Sequence, residues 1–200
     1  MFITFEGGEG TGKTTLIHRV FDALKNQYDV LMTREPGGSP IAEIIRDVVL
    51  SPDNKGITAR TEALLIAAAR AQHLDDTILP ALNAGKIVLC DRYLDSSLAY
   101  QACARDLGFD FVLAINQYAT EHMPNLTFYI DLEPEVGIAR IANRNKYDRL
   151  DQETIAYHQH VRSGYQEVVK RYPNRIVVID GTKSLDDISE TIIQSIKERL

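Results

Sequence analysis

The sequence predicts an α/β fold: one five-stranded parallel sheet with helices on both faces. Three observations carry the prediction. Five short apolar runs, Phe2–Phe5, Val30–Thr33, Ile87–Cys90, Leu126–Asp131 and Ile176–Ile179, show the near-continuous hydrophobicity of strands buried on both sides. Helical patterns separate the runs, and alternation of strand and helix is the signature of a parallel sheet covered by helices. A glycine-rich loop joins the first run to the first helix, as at the carboxyl end of a strand that presents a ligand site.

Taken in order, Phe2–Phe5 leads into Gly7-x-x-x-x-Gly12-Lys13-Thr14, and Leu16, Ile17, Val20, Phe21 and Leu24 follow at helical spacing. Strand, glycine loop and helix form the context that a phosphate-binding loop requires. Glycine permits backbone angles that turn successive N–H groups inward, and the helix directs its positive end at the same point. Gly7, Gly8, Glu9, Gly10, Thr11, Gly12, Lys13, Thr14 and Thr15 are therefore the expected triphosphate site. Lys13 supplies a point charge to the outer phosphates, and the Thr14 hydroxyl is suited to Mg²⁺. A bare glycine turn with a surface lysine would leave the flanking strand and helix unexplained.

After the second run stands Thr33-Arg34-Glu35-Pro36-Gly37-Gly38, a sharp turn that places Arg34 and Glu35 at a strand's carboxyl end. A helix over Pro40–Val49 carries Arg46. A longer one over Thr61–Asn83 is rich in alanine, holds Arg70 in apolar surroundings and meets Pro80 near its end, where a kink or break is expected. Its apolar faces exceed what one sheet covers, which suits a subunit contact. The third run ends in Asp91-Arg92-Tyr93. A carboxylate there suits the Mg²⁺ of a nucleotide site, and the adjacent arginine suits a second phosphate.

Further helices are expected over Leu94–Arg105, Phe111–Thr120, Pro134–Asn143, Asp151–Arg171 and Leu185–Leu200. Arg140, Arg144 and Arg149 fall in a polar stretch of about 140–150, which beside a phosphate loop reads as a lid bringing arginine to a transferring phosphoryl group. Pairing of Arg149 and Arg144 with Asp148 and Asp151 is the structural alternative. The five histidines form no metal or triad pattern.

The 200 residues fit one domain. A net charge of −6 argues against broad binding to nucleic acid or anionic membrane. Cys90 and Cys103 lack metal-ligand spacing, and Cys90 in its apolar run reads as a buried reduced thiol. No run reaches transmembrane length, and the N-terminal run is too short for a signal peptide, so a cytoplasmic location is expected.

Together these motifs resemble the thymidylate kinase family over nearly the whole chain. The specific parts are Glu6–Thr15, Thr33–Gly38, Arg60-Thr61-Glu62 with Arg70, Asp91-Arg92-Tyr93 running on to Ser96-Ser97-Leu98-Ala99-Tyr100-Gln101, and Asp148-Arg149-Leu150-Asp151. The resemblance implies the fold of P-loop nucleoside monophosphate kinases and transfer from ATP, with Mg²⁺, to thymidine 5′-monophosphate (dTMP). It implies Lys13 and Thr14 for ATP and Mg²⁺, and Asp91 in the metal and water network. Arg46 and Arg92 would hold the acceptor phosphate, with Glu35 nearby. Arg70 and Gln101 would hydrogen-bond the thymine edge, and Ser97 and Tyr100 would line the sugar and base pocket. Where the family usually stacks phenylalanine on thymine, this chain has Ile66. One form of the family carries a catalytic arginine in the loop, and another supplies it from the lid. Gly8–Thr11 contain no arginine, so the chain resembles the lid form common in bacteria, with Arg144 or Arg149 as the expected residue. A homodimer is also implied. Other P-loop deoxynucleoside or deoxynucleotide kinases are the nearest competing reading, and an acceptor-free partitioning ATPase a more distant one.

Overall fold

The computed structural model describes residues 1–142 and 149–200; Arg144 and most of the expected lid lie outside the described residues. The five expected strands form as β1 (Phe2–Glu6), β2 (Val30–Arg34), β3 (Ile87–Asp91), β4 (Leu126–Asp131) and β5 (Ile176–Asp180). All pairings are parallel, in the order β2-β3-β1-β4-β5. β1 is thus central, and the loop after it emerges between the ends of β3 and β4. The register aligns Phe5 and Arg34 with Asp91, which levels the carboxyl ends of three strands.

Alternate residues of β1 serve opposite faces, as the two-residue period requires. Ile3 and Phe5 pack with Leu16 and Val20 of α1 (Lys13–Leu24) and with Ile188 and Ile192 of the last helix. Phe2 faces the other layer, among Leu74, Ile78 and Tyr93. Farther along that face, Tyr129 of β4 packs with Leu98, Val161 and Tyr165.

The helices differ from the sequence expectation where caps and wide turns intervene. After α2 (Pro40–Leu50), the long helix begins at Ala59 rather than Thr61, because the Thr58 hydroxyl accepts from Thr61 N at 3.3 Å. This α3 (Ala59–His73) then widens into a π-helical turn, Leu74–Ile78, before α4 (Leu79–Asn83). Pro80 cannot donate to the carbonyl four residues back and crowds it, so the wide turn just upstream is the expected kink in concrete form. The helix expected over Leu94–Arg105 is α5 (Leu94–Ser97) followed by a second π-helical stretch, Leu98–Ala104. There the Arg105 N–H reaches back five residues to Tyr100 O at 2.9 Å.

The next helix divides into α6 (Phe109–Ile115) and α7 (Gln117–Thr120), and α8 (Pro134–Ile141) follows β4. The chain resumes in α9 (Ile155–Arg171), which starts later than Asp151 because Thr154 caps it, accepting from Tyr157 N at 3.2 Å. α10 (Leu185–Lys197) closes the fold, with Ser184 as its cap. Cys90 is a buried free thiol. Among the described residues no helix is long and apolar enough to cross a membrane.

Candidate functional site

The loop after β1 holds its shape through close backbone contact. Gly10 and Gly12 have φ of 67° and 87°, and Gly12 opens α1. Gly10 also lies against Gly137 of α8 so closely that a side chain on either would run into backbone. Lys13 folds back over the loop, its Nζ donating to Gly7 O at 3.0 Å and Gly8 O at 2.7 Å. Burial, reinforced by the Arg92 charge, pulls the Lys13 ammonium down to about 8.

Thr14 and Asp91 meet as expected. The Thr14 hydroxyl donates to Asp91 Oδ2 at 3.0 Å, because the β1–β3 register brings that carboxylate to the start of α1. Asp91 Oδ1 is buried with no hydrogen-bond partner among the described residues. Buried carboxylate oxygens are seldom left unpaired. A hydroxyl and an unsatisfied carboxylate oxygen at the foot of a phosphate loop suit a hard divalent cation and its water.

Arg92 forms the opposite wall. Its backbone is left-handed, at φ 70°, and its side chain is held on several sides. Nη1 donates to Gly7 O at 2.8 Å and the Tyr165 hydroxyl at 3.1 Å, and Nη2 to Glu9 Oε1 at 2.6 Å. The guanidinium also lies over the Tyr100 ring, 5.0 Å from its centroid, while the Tyr100 hydroxyl donates to the same Glu9 oxygen at 2.9 Å. The Glu9 carboxylate therefore faces Arg92 and Tyr100, whereas the sequence grouped it with the triphosphate loop. Burial alone would raise Glu9, but the charges of Arg92 and Lys13 and the Tyr100 hydrogen bond hold it down at about 2.

Behind this wall sits Glu6, fully buried, accepting from Tyr93 N at 2.7 Å, Ser96 Oγ at 2.6 Å and Tyr165 OH at 2.9 Å. Burial, then the Asp95 charge, lifts it to about 7.

A recess continues from Arg92 beneath α3. Arg70, 1% exposed, donates to Glu35 Oε2 at 2.7 Å, Asn116 Oδ1 at 2.5 Å and Tyr93 O at 3.1 Å. The other Glu35 oxygen lies 3.1 Å from His73 Nδ1, so Glu35 braces Arg70 from within the fold. Arg46 reaches Pro36 O at 2.6 Å. One cavity of about 270 Å³ joins these parts. Its lining includes the loop from Glu9 to Thr15 and Asp91, together with Glu35, Arg46, Ile66, Arg70, Arg92, Ser97, Tyr100 and Gln101. Every residue expected on the acceptor side thus lines a space shared with the loop.

The arginines of the expected lid are placed differently. Arg140 Nη1 lies 3.4 Å from Gly10 O, beside the loop. Arg149 is not in the cavity lining: its Nε donates to Val49 O at 3.0 Å and its Nη2 to Glu62 Oε2 at 2.6 Å. Leu150 and Asp151, next in the chain, do line the cavity.

Sequence reasoning gave no role to Glu6, Glu62, His73, Asn116 or Tyr165, all of which brace this wall. Glu62 carried a usable signal. It is a charge on the same apolar helix as Arg70, and the question asked of Arg70 applied equally to it.

A family model described as thymidylate kinase matches residues 5–192. A thymidylate kinase of Acholeplasma laidlawii is 57% identical over 203 residues, covering 100% of both chains. One of Anoxybacillus flavithermus is 51% identical, covering 96% of this chain and 94% of the other. A crystal structure of thymidylate kinase from Ehrlichia chaffeensis superposes with a TM-score of 0.80 at 30% identity, over 98% of each chain.

Proposed function

The chain belongs to the thymidylate kinase family and phosphorylates dTMP to the diphosphate; we propose that it does so by in-line transfer from ATP, with Mg²⁺ and without a general base. The observation that carries this reading is the single cavity joining Lys13, Thr14 and Asp91 to the recess of Arg92, Arg70 and Gln101. A donor polyphosphate and an acceptor monophosphate can meet there without leaving the protein.

The chemistry is one of charge. The acceptor is a phosphate monoester whose second pKa is about 6, so near neutral pH it is mostly dianionic and already nucleophilic. What remains is to align two polyanions and neutralise their shared charge. Lys13 and the loop N–H groups would hold the donor phosphates. Arg92, fixed by Glu9, with Arg46 nearby, would hold the acceptor phosphate. Thr14 and Asp91 would hold Mg²⁺, which when bound would supply positive charge to offset that of the phosphates. Arg70 and Gln101 would meet the thymine edge, Ile66 its face, and Ser97 and Tyr100 the sugar.

Gly8–Thr11 hold no arginine, so a lid at about 140–150, with Arg144 or Arg149, would bring the remaining positive charge. We further propose a single cytoplasmic domain acting as a homodimer. Support for the dimer comes from Ile41, Ile44 and Val48, exposed along one side of α2, and from exposed Leu64 on α3.

The test is a coupled assay of ADP release with dTMP, dUMP, dGMP and thymidine as acceptors. ADP release that depends on dTMP and exceeds that with the other three is expected. Equal ADP release with no acceptor present would favour a partitioning ATPase and sink the proposal.

A further inference from the structure

Glu62 lies in the first turn of α3, 1% exposed and outside the cavity lining. Its carboxylate gathers three donors, two from the second π-helical stretch and its end and one from beyond residue 148. Oε1 accepts from Gln101 Nε2 at 3.0 Å; Oε2 accepts from Arg149 Nη2 at 2.6 Å and Arg105 Nη2 at 3.2 Å. Burial works to raise this carboxyl, but the Arg149 and Gln101 hydrogen bonds and the Arg105 charge hold it below the usual range. Glu62 is therefore ionised and can only accept.

That fixes the Gln101 amide. If its carbonyl faced Glu62, two acceptors would oppose each other in a buried place, and the Gln101 NH₂ would lose its partner. With Nε2 committed to Glu62, Gln101 Oε1 is left without a hydrogen-bond partner among the described residues, on a side chain that lines the cavity. Arg70 lines the same wall. Three of its N–H groups go to Glu35, Asn116 and Tyr93, and a guanidinium has five. The wall thus offers a donor from Arg70 and an acceptor from Gln101. A 4-oxo pyrimidine such as thymine carries an acceptor, O4, beside the N3–H donor. Cytosine carries the reverse pair, an N4 donor beside the bare N3 acceptor.

We propose that Glu62 is a positioning residue for base selection: it holds the Gln101 amide with its carbonyl toward the cavity, making the wall complementary to 4-oxo and adverse to 4-amino pyrimidines. This rests on the thymidylate kinase reading of the cavity. Its effect is exerted through Gln101, without contact with the substrate.

The test is E62Q, which keeps the shape of the side chain but accepts either end of the Gln101 amide. kcat and KM are measured for dTMP and dCMP. The ratio of the two kcat/KM values should fall about tenfold or more, chiefly through KM. Loosening of Arg149 would lower kcat for both acceptors alike and cancel in the ratio. R105M, which removes another Glu62 partner, should leave the ratio unchanged. An unchanged ratio in folded E62Q, or an equal fall in R105M, overturns the proposal.

Should E62Q not fold, the wild-type enzyme with N3-methyl-dTMP decides. A KM about tenfold or more above that for dTMP is expected where a carbonyl meets N3–H, and an equal KM overturns the proposal. Failure of the wild-type enzyme to phosphorylate dTMP at all would instead remove the underlying reading.

Discussion

Two carboxyls within reach of one loop are driven apart by their surroundings. Glu6, with burial and Asp95 against it, titrates at about 7 rather than 4.5. The native state then binds its proton more tightly than the unfolded chain does, and its effect is to lower stability as pH rises from 4.5 toward 7. Glu9, held at about 2, acts oppositely: its contribution is present above 4.5 and lost as pH falls toward 2. Urea midpoints measured across the Glu6 window should decline less with pH in Glu6→Gln than in wild type; parallel curves would contradict this assignment. Asp91→Asn should leave the fold intact but lower kcat by on the order of a hundredfold and raise the Mg²⁺ needed for half-maximal rate. Ile66→Phe should lower KM for dTMP by several-fold, because stacking on a base is worth about 1–3 kcal/mol. At this scale the sequence was most legible where a residue broke its own context. Asp91 and Arg92 ended an apolar strand, and Arg70 interrupted an alanine-rich helix. Glu9 was hidden, because its place in the loop says nothing about which way its carboxylate turns. Only the fold brings Arg92 and Tyr100 round to it.

Among the elements, the strands were readable to within a residue from their apolar runs, but the full burial those runs predict holds for the three inner strands alone: at the sheet edges β2 is only partly covered and Val178 of β5 is half exposed. Helix ends were less readable. Thr58 and Thr154 moved two starts by capping, and the two π-helical turns had no clear periodic signal, being single-residue slips in an otherwise helical pattern. Pro80 gave warning of the first. The second sets Tyr100 and Gln101 at the cavity and packs against α9, where a methyl group added at Gly164 would come within 2.9 Å of the Ala99 backbone. Gly164→Ala should therefore destabilise by about 1–3 kcal/mol, seen as a lower Tm, instead of gaining the usual helical benefit of alanine. The root of the expected lid is tied down by Arg149, through Val49 and Glu62. Arg149→Ala should cut turnover by at least about a hundredfold, with a far smaller change in ATP affinity. Near-normal turnover would mean that Arg149 serves only as this anchor.

For the whole molecule, the position of the site at the carboxyl ends follows from the parallel arrangement and lay within reach of the sequence; the order β2-β3-β1-β4-β5 does not follow from parallel pairing and was not legible there. The proposed association with a second copy had one signal in the sequence, the apolar Thr61–Asn83 helix; the apolar side chains left exposed on α2 and α3 are the structural observation that supports it. Ile44, 60% exposed, can be changed to Glu without disturbing the core, and sedimentation equilibrium should then show a monomer where the dimer proposed for the wild-type protein is expected. A dimer of unchanged affinity would place the contact elsewhere. The packing of Gly10 against Gly137 also constrains how such an enzyme can change by descent. Placing arginine in the loop at position 10 would need α8 to withdraw first, so that step requires at least two coordinated changes. Gly8 has open space where a side chain would begin, and is a position at which one substitution could give the loop the charge now expected from the lid.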